Sequence, residues 1–275
     1  MGRFSGTVTL ITGASAGLGA EIAREAARQG GDVVLTARRQ ERLESLSSEI
    51  EGMGQRALAV KCDVTQDGDL ERATAEAIDV FGRINNVIAN AGFGVVGPFE
   101  KMNLEDFRRQ FETNVFGVLR TVLATREHLM ASRGCLAIIG SMNGCIPMPW
   151  SSPYCMSKFA VHALASSLWY ELRPHGVAVV LIAPGFFKSE IRQIDNRGVR
   201  HPHAKDQIPA WLIMSSEKAA RQVVRAVHKR QRFKAITGHG KIAIFLHRYF
   251  PPLSYMLLFA LTQRRLKKMK MAVKR

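Results

Sequence analysis

Acidic residues are missing from the last fifth of the chain: between Lys218 and Arg275 stand 16 Lys/Arg and no Asp or Glu. All 23 acidic residues of the 275-residue chain therefore lie upstream, where they balance the other 23 basic ones, so the net charge of +16 belongs to the C-terminal part alone. A neutral body and a tail without a binding module exclude nucleic acid as the expected partner. Cysteine is scarce. Cys62, Cys135, Cys145 and Cys155 show neither the close pairs of a zinc site nor the density of a disulfide scaffold, so reduced thiols and no metal are expected. No Asn-x-Ser/Thr sequence occurs, Met1 to Gly6 lack the apolar run of a signal peptide, and Gly6 stands where a myristoylation signal wants Ser or Thr. These absences suit a cytoplasmic protein. The longest apolar stretch, residues 242–261, is broken by His247, Arg248 and Pro251-Pro252, which argues against one continuous membrane-spanning helix.

What is present is an alternation of strand-length apolar runs with helix-length amphipathic segments as far as about residue 185. Strands are expected at Thr7–Ile11, Asp32–Thr36, Arg56–Lys61, Asn86–Ala89, Cys135–Ile139 and Val177–Ile182. Helices are expected up to Gln29, over Glu41–Glu51, Gly68–Phe81 and Tyr154–Leu172, and as one long segment from Leu104 to about Ala131. Continuous Val/Ile/Leu runs are the mark of parallel strands covered on both faces. The expected fold is α/β: a Rossmann-like, doubly wound parallel sheet in a single domain, residues 1–237, with an apolar and basic extension over 238–275.

The first turn reads Thr12-Gly13-Ala14-Ser15-Ala16-Gly17-Leu18-Gly19, between a strand and a helix. Glycines there allow a tight turn and close approach to a pyrophosphate, which a helix N-terminus stabilises, although glycine-rich turns also serve packing alone. Asn90-Ala91-Gly92 ends the fourth strand, and Asp63, followed by Val64, ends the third. At a strand end a carboxylate either accepts from an adenine amino group or caps the next turn, and spacing does not choose between these. In Tyr154-Cys155-Met156-Ser157-Lys158 the phenol and the ammonium share one helix face. A phenol titrates near 10, and lowering it by roughly three units requires about 4 kcal/mol, for which a desolvated ammonium together with an oxidised nicotinamide is the expected source. Ser141 lies thirteen positions earlier, just past a strand and at the same sheet edge, where its hydroxyl can donate to a developing oxyanion. Asn114 falls inside a helix, a poor place for it unless its side chain or a bound water has a task.

With these residues assembled, the chain resembles the short-chain dehydrogenase/reductase family. Thr12 to Gly19 is similar to its TGxxxGxG turn, Asn90-Ala91-Gly92 to its NAG motif, Asn114, Ser141, Tyr154 and Lys158 to its catalytic tetrad, and Pro184-Gly185 to its PG step, over about residues 5–237. The resemblance implies a dinucleotide held by Gly13, Ser15, Gly17, Leu18, Gly19, Asp63, Val64, Asn90, Ala91, Gly92, Pro184, Gly185 and Phe187. It implies Tyr154 as proton donor or base, Lys158 on the nicotinamide ribose, Ser141 on the substrate oxygen and Asn114 holding a relay water. Ser189 stands where the family commonly has Thr, which keeps a hydroxyl for the carboxamide.

Cofactor choice follows from charge. NAD-selecting enzymes place an acid near the end of the second strand, whereas Leu35-Thr36-Ala37-Arg38-Arg39 offers two guanidiniums, so NADP(H) is expected. Phe186, Phe187, Ile208, Trp211 and Leu212, with Met214 just beyond, give roughly residues 186–212 the character of an apolar substrate loop or of plain packing; His201 and His203 within it make a weak metal site. The expected activity is the interconversion of a ketone or aldehyde and an alcohol on a lipid- or steroid-like substrate. A catalytically silent dinucleotide sensor on the same fold is the alternative. For the extension, with Arg264-Arg265-Leu266-Lys267-Lys268, Lys270, Lys274 and Arg275, the readings are two amphipathic pieces on an anionic membrane surface, an arm docked on the body or a second subunit, and a solubilising tail. A homo-oligomer is expected.

Overall fold

The computed structural model describes residues 2–188 and 208–273, with side chains as far as residue 264. Among the described residues seven strands, β1 (Val8–Thr12), β2 (Asp32–Ala37), β3 (Ala57–Lys61), β4 (Asn86–Ala89), β5 (Cys135–Ile139), β6 (Ala178–Ala183) and β7 (Phe233–Ala235), form one parallel sheet in the order β3-β2-β1-β4-β5-β6-β7. β1 pairs with β2 on one side and β4 on the other, with Leu10 opposite both Val34 and Val87. The winding therefore reverses at β1 and β4, and a crevice opens beyond their carboxyl ends.

Alternation along the strands divides the core between the two faces. Ile11, Val33 and Leu35 face α1 (Gly17–Arg28), α2 (Gln40–Glu51) and α7 (Ser216–His228), whereas Leu10, Val34 and Val87 face α3 (Asp69–Phe81), α5 (Gly117–Ala131) and α6 (Ser152–Leu172). All six strand side chains are fully buried, and each such burial stabilises the fold by roughly 1.5–3 kcal/mol.

Local chemistry sets several helix ends. In α4 (Leu104–Phe111) Asn103 Oδ1 accepts from the Asp106 N–H at 3.0 Å and Asp106 Oδ2 accepts from the Asn103 N–H at 3.1 Å, closing a capping box. Gly82, at φ 72°, ends α3 in the left-handed conformation.

The structure corrects three expectations. The long helix expected from Leu104 to Ala131 is interrupted by a π-helical turn over Glu112–Phe116, which separates α4 from α5 and centres on Asn114. The seventh strand, only three residues long and set within the basic fifth, carries no alternation and was not expected from the sequence. The extension does form two helices that meet at the prolines, α8 (Gly238–Tyr249) and α9 (Pro251–Val273), but the second continues through the basic cluster. Among the described residues, no helix is long and apolar enough to cross a membrane.

Candidate active site

The glycine turn is locked to the end of β4. Thr12 Oγ1 accepts from the Asn90 and Ala91 N–H groups, both at 3.0 Å, and Asn90 Nδ2 donates to the Thr12 carbonyl at 2.8 Å. Gly13 takes φ 69°, and a Cβ there would stand 2.9 Å from Ala91 Cα. A Cβ on Gly19 would stand 2.6 Å from Asn90 Nδ2, so the close packing of turn, helix and β4 requires both glycines. The N-cap of α1, Ala16, supplies no side-chain hydrogen bond, leaving the first N–H groups of the helix to an outside acceptor. A helix start without a side-chain cap, beside a glycine turn, fits a pyrophosphate.

Beyond the turn, Arg39 donates to Ser15 Oγ through Nε at 3.1 Å and Nη2 at 2.9 Å, which ties the end of β2 to the glycine turn. The exposed Arg38 guanidinium lies 4.0 Å from Asp63 Oδ2. Asp63 Oδ1 accepts from the Thr65 N–H at 3.0 Å and from Thr65 Oγ1 at 2.8 Å. One carboxylate oxygen thus caps the turn after β3 and the other faces the crevice beside Arg38. Val64 packs where Gly117 begins α5, since a Cβ at Gly117 would stand 2.7 Å from Val64 Cγ2.

At the other end of the crevice α6 brings Tyr154 and Lys158 beside Ser141. Ser141 stands close enough to Tyr154 to lower the phenol, and Ser141 Oγ accepts from the Asn143 N–H at 3.1 Å. Lys158 Nζ donates to the Ile139 carbonyl at 2.9 Å and lies 5.8 Å from the Tyr154 ring centre. Burial pushes the ammonium down to about 8. Burial also raises the phenol, against the lowering contributed by Ser141, so in the protein by itself Tyr154 keeps its proton through the neutral range. Both groups are desolvated, and burial works against the phenolate as well as the ammonium; the lowering expected from the sequence requires an oxidised nicotinamide beside the ammonium. Asn114 is fully buried; its Oδ1 accepts from the Phe93 N–H at 3.0 Å, while Nδ2 donates to the Phe93 carbonyl at 3.0 Å and to Ser157 Oγ at 3.2 Å. Its side chain therefore clamps the irregular segment after Gly92 to α6, which leaves any relay water to the main chain.

These parts line one cleft of about 1180 Å³, which runs from Arg38, Arg39 and Ser15 past Asn90, Ala91 and Gly92 to Ser141, Tyr154, Lys158, Pro184, Gly185 and Phe187. Gly19 and Asn114 stand behind its wall, and Ser189, His201 and His203 lie outside the described residues. Of the apolar loop residues, Phe186, Phe187 and Ile208 line the cleft, Trp211 is 82% exposed, and Met214 pairs with Phe187 through the backbone.

Phe93, Val96, Pro98 and Trp150 complete the apolar wall. They went unrecognised in the sequence because they lie in irregular segments without periodicity. Trp150 is held at φ 58°, and its carbonyl accepts from the Gly97 N–H at 2.8 Å. Two histidines were also missed. His239 Nε2 accepts from the Phe186 N–H at 3.1 Å and its ring stacks on Phe186, so the start of α8 supports the cleft wall. His162 stands beneath the Ser141 turn. Its i+4 spacing from Lys158 on one helix face was the available signal.

Residues 7–199 match the family model described as short chain dehydrogenase. The chain is 33% identical over 259 residues to an uncharacterized oxidoreductase, YxnA, of Bacillus subtilis, covering 91% of this chain and 71% of that one. It is 30% identical over 236 residues to 11-beta-hydroxysteroid dehydrogenase A of Sesamum indicum, covering 83% and 68%. Among solved structures, an alcohol dehydrogenase of Thermococcus sibiricus complexed with 5-hydroxy-NADP aligns with TM-score 0.74 at 26% identity, over 84% of this chain and 96% of that one. With a matching model over most of its length, relatives of this similarity and a parallel sheet of this order, the chain belongs to the short-chain dehydrogenase/reductase family of nicotinamide-dinucleotide oxidoreductases.

Proposed function

We propose that this oxidoreductase uses NADP(H) to interconvert a ketone or aldehyde with an alcohol on a lipophilic, steroid- or lipid-like substrate. The observation that carries the reading is a single cleft with two arginines beside an uncapped helix start at one end and Ser141, Tyr154 and Lys158 at the other. Gly13, Ser15, Gly17, Leu18 and Gly19 would receive the pyrophosphate, Arg38 and Arg39 a 2′-phosphate, Asp63 and Val64 the adenine, and Asn90, Ala91, Gly92, Pro184, Gly185, Phe187 and Ser189 the nicotinamide half. The chemistry that a bound nicotinamide would supply is hydride exchange with the substrate carbon. Ser141 donates a hydrogen bond to the substrate oxygen, and Tyr154, protonated at neutral pH, gives that oxygen its proton. Lys158 would hold the nicotinamide ribose and restore the Tyr154 proton, with Asn114 fixing α6 against the segment after Gly92 and its main chain free to hold a relay water. The apolar wall of Phe93, Val96, Trp150, Phe186, Phe187 and Ile208 suits a substrate with little polar surface. The hydroxysteroid dehydrogenase name of the Sesamum relative and the NADP analogue bound to the Thermococcus enzyme support the same choice.

We further propose residues 1–237 as the catalytic domain and 238–275 as an extension that meets an anionic membrane surface from the cytoplasmic side, in a homo-oligomer. The test of the activity is NADPH oxidation with steroid, long-chain and aromatic ketones, run beside NADH. Turnover of lipophilic ketones with NADPH preferred is expected. Tight NADPH binding without turnover of any carbonyl would favour the silent sensor instead.

A further inference from the structure

We propose that His162 is a positioning residue, which holds the Gly140–Cys145 turn and thereby sets the Ser141 hydroxyl against Tyr154. The proposal rests on the oxidoreductase reading for its kinetic consequence, while its geometry stands independently. His162 lies one helical turn beyond Lys158 on α6 and is 9% exposed. Its Nε2 accepts the Ser141 N–H at 3.4 Å, the long end of a hydrogen bond, and its Nδ1 lies 3.6 Å from Cys145 Sγ. A ring whose Nε2 accepts carries its proton on Nδ1, so the same imidazole donates to the Cys145 sulfur. Both ends of the turn are thus fastened to one side chain.

The turn is also shaped around the ring. A methyl group at Gly140 would collide with Nε2, and one at Gly144 would come within 2.5 Å of it. The Phe233 ring of β7 meets the imidazole edge-on, with centroids 6.5 Å apart. From the other side the turn is held by β6 and the segment after it: the Gly140 N–H donates to the Ile182 carbonyl and the Met142 N–H to the Pro184 carbonyl, each at 2.8 Å. Ser141 sits between these fixed points, with its Oγ oriented by Asn143 and close enough to Tyr154 to lower the phenol. Burial and the neighbouring Lys158 charge hold the imidazole down at about 4, so Nε2 remains an acceptor at neutral pH. A leucine of similar size would fill the space but leave the Ser141 N–H without its acceptor, freeing the turn to move by the fraction of an ångström that separates a productive hydroxyl from an idle one.

The experiment compares full-length wild type with His162→Leu, His162→Gln and Ser141→Ala. Turnover of the wild type tests the oxidoreductase reading alone; ratios between variants and wild type test His162. His162→Leu should lower kcat by tenfold or more with KM for NADPH within twofold of wild type, and adding Ser141→Ala to it should cost little more. His162→Gln, whose Oε1 can accept in place of Nε2, should recover most of the loss. Ultraviolet titration of Tyr154, taken as the difference from Tyr154→Phe protein, needs no turnover: His162→Leu should raise the tyrosine pKa in the same direction as Ser141→Ala. Should His162→Leu fail to fold, His162→Ile, apolar and likewise without an acceptor, is read in the same way. Wild-type kcat and an unmoved Tyr154 titration in a folded variant, with only the melting temperature lowered, would reduce His162 to a packing residue and overturn the proposal.

Discussion

Lys158 Nζ donates to the Ile139 carbonyl at 2.9 Å while lying 5.8 Å from the centre of the Tyr154 ring. The helix therefore carries the ammonium to the end of β5, where a main-chain oxygen meets it, and burial brings it down to about 8 from 10.5. The sign of the consequence is fixed by proton counting. Between pH 8 and 10.5 the unfolded chain holds a proton that the folded chain has released, so this group makes the protein more stable as pH rises through that window, by roughly 3 kcal/mol at most. Urea unfolding at pH 8, 9 and 10 should show stability of the wild type gaining on that of Lys158→Met. A constant difference between the two proteins would show that the folded lysine titrates at its ordinary value.

Tyr154→Phe keeps the ring's packing and removes only the hydroxyl. Proton transfer by a placed acid contributes about 100- to 10,000-fold, so kcat for ketone reduction should fall by that order while the NADPH dissociation constant stays within a few-fold. Stopped-flow reduction with a ketone that the wild type turns over well, beside fluorescence titration of NADPH, checks both halves. Near-wild-type kcat would remove Tyr154 from the role of proton donor.

Arg38→Asp replaces an exposed guanidinium, 4.0 Å from Asp63, with a second carboxylate at the same edge of the cleft. A 2′-phosphate then meets two acids where it had met a cation, whereas a ribose 2′-hydroxyl gains an acceptor. The ratio of kcat/KM for NADPH to that for NADH should fall by tenfold or more. Equal losses for both cofactors would place phosphate recognition on other residues.

The architecture was legible in the sequence because its cause is local. Parallel strands covered on both faces read as largely apolar runs, and six of the seven could be read so, the half-buried edge strand β3 included; β7 was invisible because three residues of an edge strand have room for neither a run nor an alternation. The parts of the cleft that stood out, Thr12 to Gly19 and Tyr154 with Lys158, have spacing dictated by a turn or by one helical turn. The π turn at Asn114 did not stand out, since its cause is tertiary: an amide whose three hydrogen bonds reach Phe93 and Ser157, on other segments. His162 and His239 stayed hidden for the same reason, each being defined by loops that fold onto it from elsewhere. The rise of Tyr154 was not readable either, because the spacing brings a cation near the phenol but says nothing of the solvent taken from both.

The extension offers the last test. Between residues 242 and 261 stand ten exposed large apolar or aromatic side chains, among them Ile242, Phe245, Phe250, Leu253 and Phe259, against twelve in all the rest of the described chain. No acid accompanies them, and seven of the chain's basic residues follow from Arg264 onward. Burying one such side chain in a lipid interface contributes on the order of 1.5–3 kcal/mol, and each basic residue near an anionic leaflet about 1 kcal/mol, so the two terms together suffice for binding. The place of the cut matters. Removing residues from 239 onward would take away the His239 acceptor of the Phe186 N–H and loosen the cleft wall, whereas a chain ending at residue 250 keeps Thr237 and His239 in place. In co-sedimentation the full-length protein should pellet with anionic vesicles at low salt, less so at 1 M salt, where the screening length falls to about 3 Å, and hardly at all with neutral vesicles. The chain ending at residue 250 should stay in the supernatant while retaining NADPH turnover. Full-length protein that remains in solution with anionic vesicles at low salt would overturn the membrane reading, and a fall in oligomer size on the same truncation would assign the apolar face to a second copy of the chain.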